Sequence, residues 1–538
     1  MDPAGDLDRI SALPDDLLHH ILGFLPDATA ASRTAVLSRR WRRVWTHAQR
    51  LALLDTETTC GDGGARCRFQ GFVDWAIAQR GDADIGSLDI RMGRFGCDSP
   101  ERVDEWLRYA MEHVVESFCL HLPFKKAPPG GASDQRVAGL PSHGRATSIR
   151  MSLPHCRFQL PKAAAPAKYA ALTTLTLCVV SFSDEAAAPA AGGDEGRRTL
   201  GDFVSSCCPR LRRLEVSFPV GLPQLVLRAE ALEELNIFSA DDLLILDVTA
   251  PKLRVLSLLS SFFNNADDKV ARIAAPALEE IGINFVTNHR RPELNIHDLA
   301  SVRRLVDLDL DMLGQHYRRT DVGFWLLENC PGVEYVDISL NHCAAGKAPA
   351  SEFVDRVSEG AAPFANVRSM DLQADIFPCP HLVASVSSLL SRCPLLRSLR
   401  LKFRKRYYEA SCLDPQDEWL RHYFHDESEA STSPKKFVLD NLREVEVEIS
   451  GVTGADEHMD LVSLLFESSN SIKSMTLRTT TKMPCAVYLR QMMNQKIMKI
   501  PCTDRGRWQF EENVYTWTCY AAGDLVQAEG NSSDSTYN

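Results

Sequence analysis

The chain has 538 residues, 45% hydrophobic and 24% charged, with a formal net charge of −11 at pH 7. That composition excludes a largely disordered or fibrous protein, and the acidic balance argues against general nucleic-acid binding, which needs a basic face. No stretch reaches the 18 or so uncharged apolar residues of a membrane span, and Met-Asp-Pro-Ala-Gly-Asp at the start has none of the regions of a secretory leader.

Residues 1–8 read as a flexible start, and 9–50 as a compact helical block. Ile10, Leu13, Leu17, Ile21, Leu22 and Leu25 form an apolar stripe at helical spacing. Pro14 opens that helix, Asp15 and Asp16 sit in its first turn where acids suit the helix dipole, and Pro26 stops it. A second helix is predicted over 28–37. Ser38 is a good N-cap for a third, over 39–48. There Leu37, Trp41, Val44, Trp45 and Ala48 share a face, and Arg39, Arg40, Arg42 and Arg43 surround the other side. About forty residues cannot bury this apolar surface among themselves, so part of it must meet a partner or the rest of the chain.

Residues 51–80 read as a linker helix region. From about 81 to 440 an apolar-x-x-apolar-x-apolar unit keeps returning. Copies include Leu172-x-x-Leu175-x-Leu177, Leu211-x-x-Leu214-x-Val216, Leu232-x-x-Leu235-x-Ile237 and Leu253-x-x-Leu256-x-Leu258. Further copies are Leu278-x-x-Ile281-x-Ile283, Leu305-x-x-Leu308-x-Leu310, Val333-x-x-Val336-x-Ile338, Val367-x-x-Met370-x-Leu372 and Leu396-x-x-Leu399-x-Leu401. The pattern persists at Leu442 and Ile472, within 441–482, and weaker copies lie at Ile85, Val115 and around Ile149. One such unit means nothing. A regular series is the leucine-rich-repeat rhythm, in which one short strand per turn lines a horseshoe. The expected fold is therefore α/β: a three-helix block, then an irregular solenoid with a parallel concave sheet.

Longer repeats run helix, Cys-Pro, strand, at Cys208-Pro209, Cys330-Pro331 and Cys393-Pro394. Proline disfavours helix for the residue before it, so each helix should end at the cysteine. A small buried hydrophobe explains these cysteines better than a redox sensor does. Shorter repeats, such as Leu246-x-Val248-x-Ala250-Pro251-x-Leu253 and Ile273-x-Ala275-Pro276-x-Leu278, alternate with period two. That predicts an outer strand in place of a helix. Sixteen cysteines without a Cys-x-x-Cys pair give neither a disulfide scaffold nor a zinc signature, and suit a reducing compartment, nucleus or cytoplasm. Segments 123–144, 183–199 and 425–436 have loop composition. Residues 483–521 read as a C-terminal cap and 522–538 as a disordered tail.

The N-terminal block resembles a plant F-box, in Asp8-Arg9-Ile10-Ser11-x-Leu13-Pro14-Asp15-Asp16-Leu17-Leu18-x-x-Ile21-Leu22-Gly23-Phe24-Leu25-Pro26 and Val36-Leu37-Ser38-Arg39-Arg40-Trp41-Arg42-x-x-Trp45. Gly23 stands where many relatives have Ser. The repeats are similar to those of plant F-box/leucine-rich-repeat proteins, and 441–482 resembles their FBD-type segment. The resemblance implies a substrate receptor of an SCF-type ubiquitin ligase. Its F-box would bind a Skp-class adaptor, and through it a cullin and a RING protein. Its repeats would hold a target protein of unknown identity. Carried over residue by residue, the adaptor-facing set is Leu13, Pro14, Leu17, Ile21, Leu22, Val36, Leu37, Ser38, Trp41 and Trp45.

No Walker A run, G-x-S-x-G elbow, H-E-x-x-H or Rossmann glycine motif is present, so no catalysis, cofactor or metal site is expected. His19-His20 and Cys207-Cys208 lack the companions that a metal site or a nucleophile needs. Strand alternation sends the position between the last two apolar residues of each unit to the concave face. That row places Asp309, Asp337 and Asp371 on successive strands, with Asp307 and Asp311 flanking the first. Next to them comes a basic strand with Arg400, Lys402 and Arg404. The expectation is a carboxylate ladder that takes a basic segment of the target, weighed against a merely solvated charged face. A small-molecule co-receptor and a scaffold without ligase activity are the alternatives; neither nucleic acid nor membrane is an expected partner.

Overall fold

The computed structural model describes residues 13–22, 24, 40, 44–45, 48–55, 63–93, 100–123, 136–154, 156–162, 168–182, 198–264, 266, 268–285, 292–311, 322–341, 364–375, 382–404, 437–449, 455–479, 495, 506–511 and 514–520. The helix expected over 28–37, most of that over 39–48, segment 425–436, most of 183–199 and the tail 522–538 lie outside them. The chain divides into two compact units. One comprises Met1–Leu278 with Asn288–Asp298, the other Glu279–Thr287 with Leu299–Asn538.

The first unit contains α1 (Asp15–Leu22), β1 (Arg50–Leu54), α2 (Gly63–Arg80), β2 (Ile85–Arg91), α3 (Pro100–His113), β3 (Val114–His121), β4 (Arg136–Gly139), β5 (Ser148–Ser152), β6 (Cys156–Gln159) and β7 (Thr174–Cys178). It continues with α4 (Leu200–Cys207), β8 (Arg213–Ser217), β9 (Gln224–Arg228), β10 (Glu234–Phe238), β11 (Ile245–Thr249), β12 (Val255–Leu259), β13 (Val270–Ala274) and, after β14 (Glu280–Asn284) of the second unit, β15 (Glu293–His297). Strands β1, β2, β3, β5, β7, β8, β10 and β12 pair in that order, all parallel. The sheet thus begins at β1, inside the stretch expected to be linker. Leu51 and Leu53 alternate inward there and are buried. Strands β9, β11, β13 and β15 form a second parallel sheet, as the period-two pattern of the short repeats predicts.

Each repeat is built by the same local chemistry. The first apolar residue closes a turn by donating its amide to the carbonyl three residues earlier. Leu253 donates to Ala250 at 3.1 Å, Leu278 to Ala275 at 3.2 Å, Leu211 to Cys208 at 3.1 Å and Leu396 to Cys393 at 3.1 Å. Pro251, Pro276, Pro209 and Pro394 follow those carbonyl residues, and proline presets the backbone for the second position of such a turn. Cysteine in the long repeats therefore occupies the place of alanine in the short ones. Cys208, Cys330 and Cys393 are buried, as a small hydrophobe would be. Burial pushes the thiols of Cys330 and Cys393 up to about 12 and raises that of Cys208 as well, which keeps them unreactive.

Within the strands, alternation buries residues such as Leu235, Ile237, Leu256 and Leu258 completely. Each contributes about 1.5–3 kcal/mol by leaving water. A left-handed residue follows β7, β8, β10 and β12 in turn: Val179, Phe218, Ser239 and Ser260, with φ between 48° and 51°. The turn links neighbouring repeats, since Val179 N donates to Ser217 O at 2.8 Å, Phe218 N to Phe238 O at 2.8 Å and Ser239 N to Leu259 O at 2.9 Å. Helix α4 replaces an outer strand. Thr199 caps it in a reciprocal box with Asp202, and Gly201 lets it approach β9, where an added Cβ would lie 2.0 Å from Val226 O.

The second unit holds β14, β16 (Arg304–Asp311), α5 (Val322–Asn329), β17 (Tyr335–Asn341), β18 (Ser369–Asp375), α6 (Leu382–Leu390), β19 (Ser398–Arg404), β20 (Glu444–Ile449), α7 (Ala455–Ser468), β21 (Ser474–Thr479), β22 (Gly506–Glu511) and β23 (Val514–Cys519). Strands β14 and β16 to β21 pair in order, all parallel. The cap is an antiparallel hairpin, β22–β23, laid on β21. Trp517 of β23 is buried against Phe466 of α7, ring centroids 5.0 Å apart. One strand per repeat in the long sheet, with an outer strand or helix in several repeats and helices few among the described residues, is the α/β arrangement of a leucine-rich-repeat solenoid.

Candidate functional site

Two surfaces concentrate unusual side chains, one in each unit. In the first unit, Pro14 O accepts the amides of Leu17 and Leu18 and so starts α1. Asp15 then ties α1 to the basic segment: Arg40 Nε donates to its carboxylate at 2.7 Å, and Arg40 Nη2 to Leu13 O at 2.7 Å. Leu18 and Leu22 turn inward and are buried. Leu17 and Ile21, at i and i+4, share the opposite face, and Phe24 follows just past the helix end, its amide donating to Ile21 O at 3.1 Å. The three are 50%, 45% and 72% exposed.

Of the expected adaptor-facing residues, Pro14, Leu17 and Ile21 are exposed and Leu13 is half-buried. Val36, Leu37, Ser38 and Trp41 lie outside the described residues. Leu22 and Trp45 need correction, because both are buried within this chain at 3% and 1% exposure. Trp45 stacks on Phe72 of α2 with centroids 5.9 Å apart and tilts against Trp75 at 5.6 Å. Its indole anchors the N-terminal block to α2. Phe24 was not in the expected set, and helical spacing does not mark it, because it follows the end of α1.

In the second unit, the outward row of the sheet departs from the expected ladder. Val306 pairs with Gly282, and between β16 and β17 the register shifts: Leu305 faces Val336 but Leu308 faces Ile338. Residues 306 and 307 together oppose Asp337. Asp307, with φ 52°, takes the left-handed conformation that such a bulge needs and that Asp tolerates. The repeat is thus framed from Val302, whose amide donates to Leu299 O at 3.3 Å, and not from Leu305. Asp309 pairs with Ser339 and leaves the row. The side chains of Asp311 and Arg404 lie outside the described ones.

Asp337 pairs with Asp371, and Asp371 with Arg400, as expected. Burial, and after it Asp307 and Asp371, raise the Asp337 carboxyl, while an amide hydrogen bond from Gln373 Nε2 at 3.2 Å opposes this. Burial and then Glu280 raise that of Asp307. Asp371 is buried and doubly compensated, by Arg400 Nη1 at 3.4 Å and Lys402 Nζ at 3.3 Å. Arg400 Nε also reaches Glu446 at 2.8 Å, and Arg478 Nε holds the other oxygen of Glu446 at 3.0 Å. The row therefore runs from carboxylates that repel to a cross-strand ion-pair network. Among the described residues no group of three His, Cys, Asp or Glu side chains is placed to hold a metal.

The F-box domain model matches residues 10–51. A putative F-box/FBD/LRR-repeat protein of Arabidopsis thaliana is 24% identical over 509 residues, 90% of this chain and 92% of that protein. An F-box/LRR-repeat protein of the same plant is 36% identical over 124 residues, 23% of this chain and 32% of that protein. An F-box/FBD/LRR-repeat protein, also from Arabidopsis thaliana, is 27% identical over 287 residues, 51% of this chain and 55% of that protein. The chain thus spans nearly all of the first of these relatives, a third of the second and about half of the third. It carries an F-box domain and is similar, over most of its length, to plant F-box/FBD/LRR-repeat proteins.

Proposed function

We propose that this chain is the substrate-recognition subunit of an SCF-type ubiquitin ligase and has no catalytic chemistry of its own. A Skp-class adaptor would seat on the α1 face and bring a cullin and a RING protein. The strand faces of the repeats would hold the target. The observation that carries this reading is the apolar trio Leu17, Ile21 and Phe24, turned to water within an F-box domain. Exposed apolar patches of this kind mark protein-binding sites. In the second unit, the Asp307–Asp337 pair would receive a basic segment of the target, beside Asp371, whose charge Arg400 and Lys402 already answer.

Leu17→Ala together with Ile21→Ala tests the adaptor reading. Both side chains point outward, so folding should survive. Losing central apolar anchors typically costs about 2 kcal/mol or more. Capture of a Skp adaptor by the full chain should fall at least about thirtyfold, and unchanged capture would overturn the assignment.

A further inference from the structure

A second apolar surface lies far along the chain from the F-box, on the strand ends of β8, β10 and β12. Phe218 is 46% exposed, Val220 53%, Phe238 37% and Phe263 41%. The rings of Phe218 and Phe238 meet edge to face, centroids 5.0 Å apart. The backbone joins the same two residues, since Phe218 N donates to Phe238 O at 2.8 Å. Phe218 and Phe238 thus form an exposed aromatic pair on two successive repeats, with Val220 and Phe263 exposed close to them in sequence.

Phe218 occupies the left-handed position of its turn, at φ 51°. Serine holds that position in the next two repeats. A bulky aromatic there is strained, at a cost of order 1–3 kcal/mol, and a half-exposed ring recovers little of it through burial. Val179 holds the same position one repeat earlier, so the turn itself accepts a bulky residue, and it is the exposure of the Phe218 ring that folding leaves unexplained. The surrounding charge is acidic. Asp241 and Asp242, in the turn that follows Phe238, are exposed to solvent. Asp242 is fixed by Gly221 N at 2.9 Å, and burial together with Asp242 raises the Asp241 carboxyl. The buried Lys269 is occupied, its ammonium on Phe262 O and Asn264 O at 2.9 and 2.8 Å.

We infer that this aromatic edge is a docking site for an extended peptide segment of the target, carrying an aromatic or large aliphatic anchor flanked by Lys or Arg. The inference rests on the substrate-receptor reading and names the class of sequence it selects. The anchor would cover Phe218 and Phe238, and the flanking cation would meet Asp241 and Asp242.

The test uses the full chain, co-expressed with a Skp adaptor, on an immobilised array of octapeptides. Each has a central Phe, Trp, Leu or Ser flanked by Lys/Arg, by Asp/Glu or by Ser. Apolar-basic peptides should bind at least tenfold better than the apolar-acidic and Ser-centred ones. Phe218→Ser and Phe238→Ser should abolish that preference, and Asp241→Asn should weaken it for basic flanks only. Phe218→Ser should also leave the melting temperature unchanged or higher, because Ser suits the turn; a structural role would lower it. Absence of the preference, or its survival in both Phe variants, overturns the inference. So does a concentration-dependent dimer that Phe218→Ser dissolves, since the edge would then serve self-association. Adaptor capture is read in the same preparation. If it fails, the ligase reading falls; if it holds while the array shows no preference, only the docking site falls.

Discussion

A single carboxylate shows how the outward row is balanced. Asp337 is crowded by Asp307 and Asp371 and partly withdrawn from water, and its carboxyl is raised above the ordinary range. A raised carboxyl binds its proton more tightly in the folded state than in the unfolded one. Below the unfolded value both states are protonated and nothing is lost. As pH rises from the unfolded value to the raised folded one, the ionised form becomes a growing cost, which is complete above the folded value. Asp337→Asn keeps the oxygen that Gln373 bonds and removes the charge. The variant should be more stable than the parent at pH 7, with the difference vanishing below about pH 4. Urea midpoints measured at both pH values decide this, and an equal or lower midpoint at pH 7 refutes it. The pairing of Asp337 with Asp371 and of Asp371 with Arg400 was legible in the sequence, because one repeat frame serves three strands. The place of Asp309 was not. Leu305-x-x-Leu308-x-Leu310 satisfies the apolar pattern as well as the true frame from Val302 does. Only strand pairing reveals the extra residue, and Asp307 in a left-handed conformation carries no sequence mark stronger than its tolerance for it.

At the scale of elements, the alternation of outer helix and outer strand follows from the turn before each sheet strand. Cys-Pro and Ala-Pro make the same turn. What precedes it differs: Leu200–Cys207 has a capping box and helical spacing, whereas Ile245–Thr249 alternates. Those patterns are local, so the sequence carries them openly. The strand at Arg50–Leu54 was hidden because five residues with two buried leucines fit a helix as well as a strand. Its identity comes from pairing with β2. Helix α4 also depends on a contact that no local pattern encodes. Gly201 lies against the Val226 carbonyl, and Ser205 Oγ accepts the Arg228 amide at 2.9 Å, so helix and outer strand are locked side by side. Gly201→Ala puts a methyl group into backbone that cannot rotate away, and should destabilise the first unit by about 1–3 kcal/mol. Ala at this site would ordinarily favour a helix, so a neutral or stabilising result in chemical denaturation would show that the contact yields.

For the molecule as a whole, charge decides more than area. The chain carries a net −11, yet Arg and Lys on the outward strand faces are largely engaged with Asp and Glu, as in Arg213–Glu234, Arg304–Glu280 and Arg400–Glu446. Exposed pairs of this kind contribute little stability, about 0–1 kcal/mol each. They neutralise the surface locally and leave the excess of carboxylate to act at longer range. On the proposed reading, a target with a basic segment would be steered toward the acidic row, and the attraction would depend on ionic strength, since screening shortens from about 10 Å at 0.1 M salt to about 3 Å at 1 M. Adaptor seating on the α1 face would be apolar and should respond weakly to the same change. The two proposed functions separate in one experiment. Proximity labelling with the full chain under proteasome block should recover proteins with basic segments. Asp307→Asn combined with Asp337→Asn should lose them while keeping the Skp adaptor. Binding of a recovered target should fall at least about tenfold between 0.1 and 1 M salt in the parent and markedly less in the double variant. Equal salt dependence in the two proteins would mean that the row is ordinary solvated surface and that targets are held elsewhere.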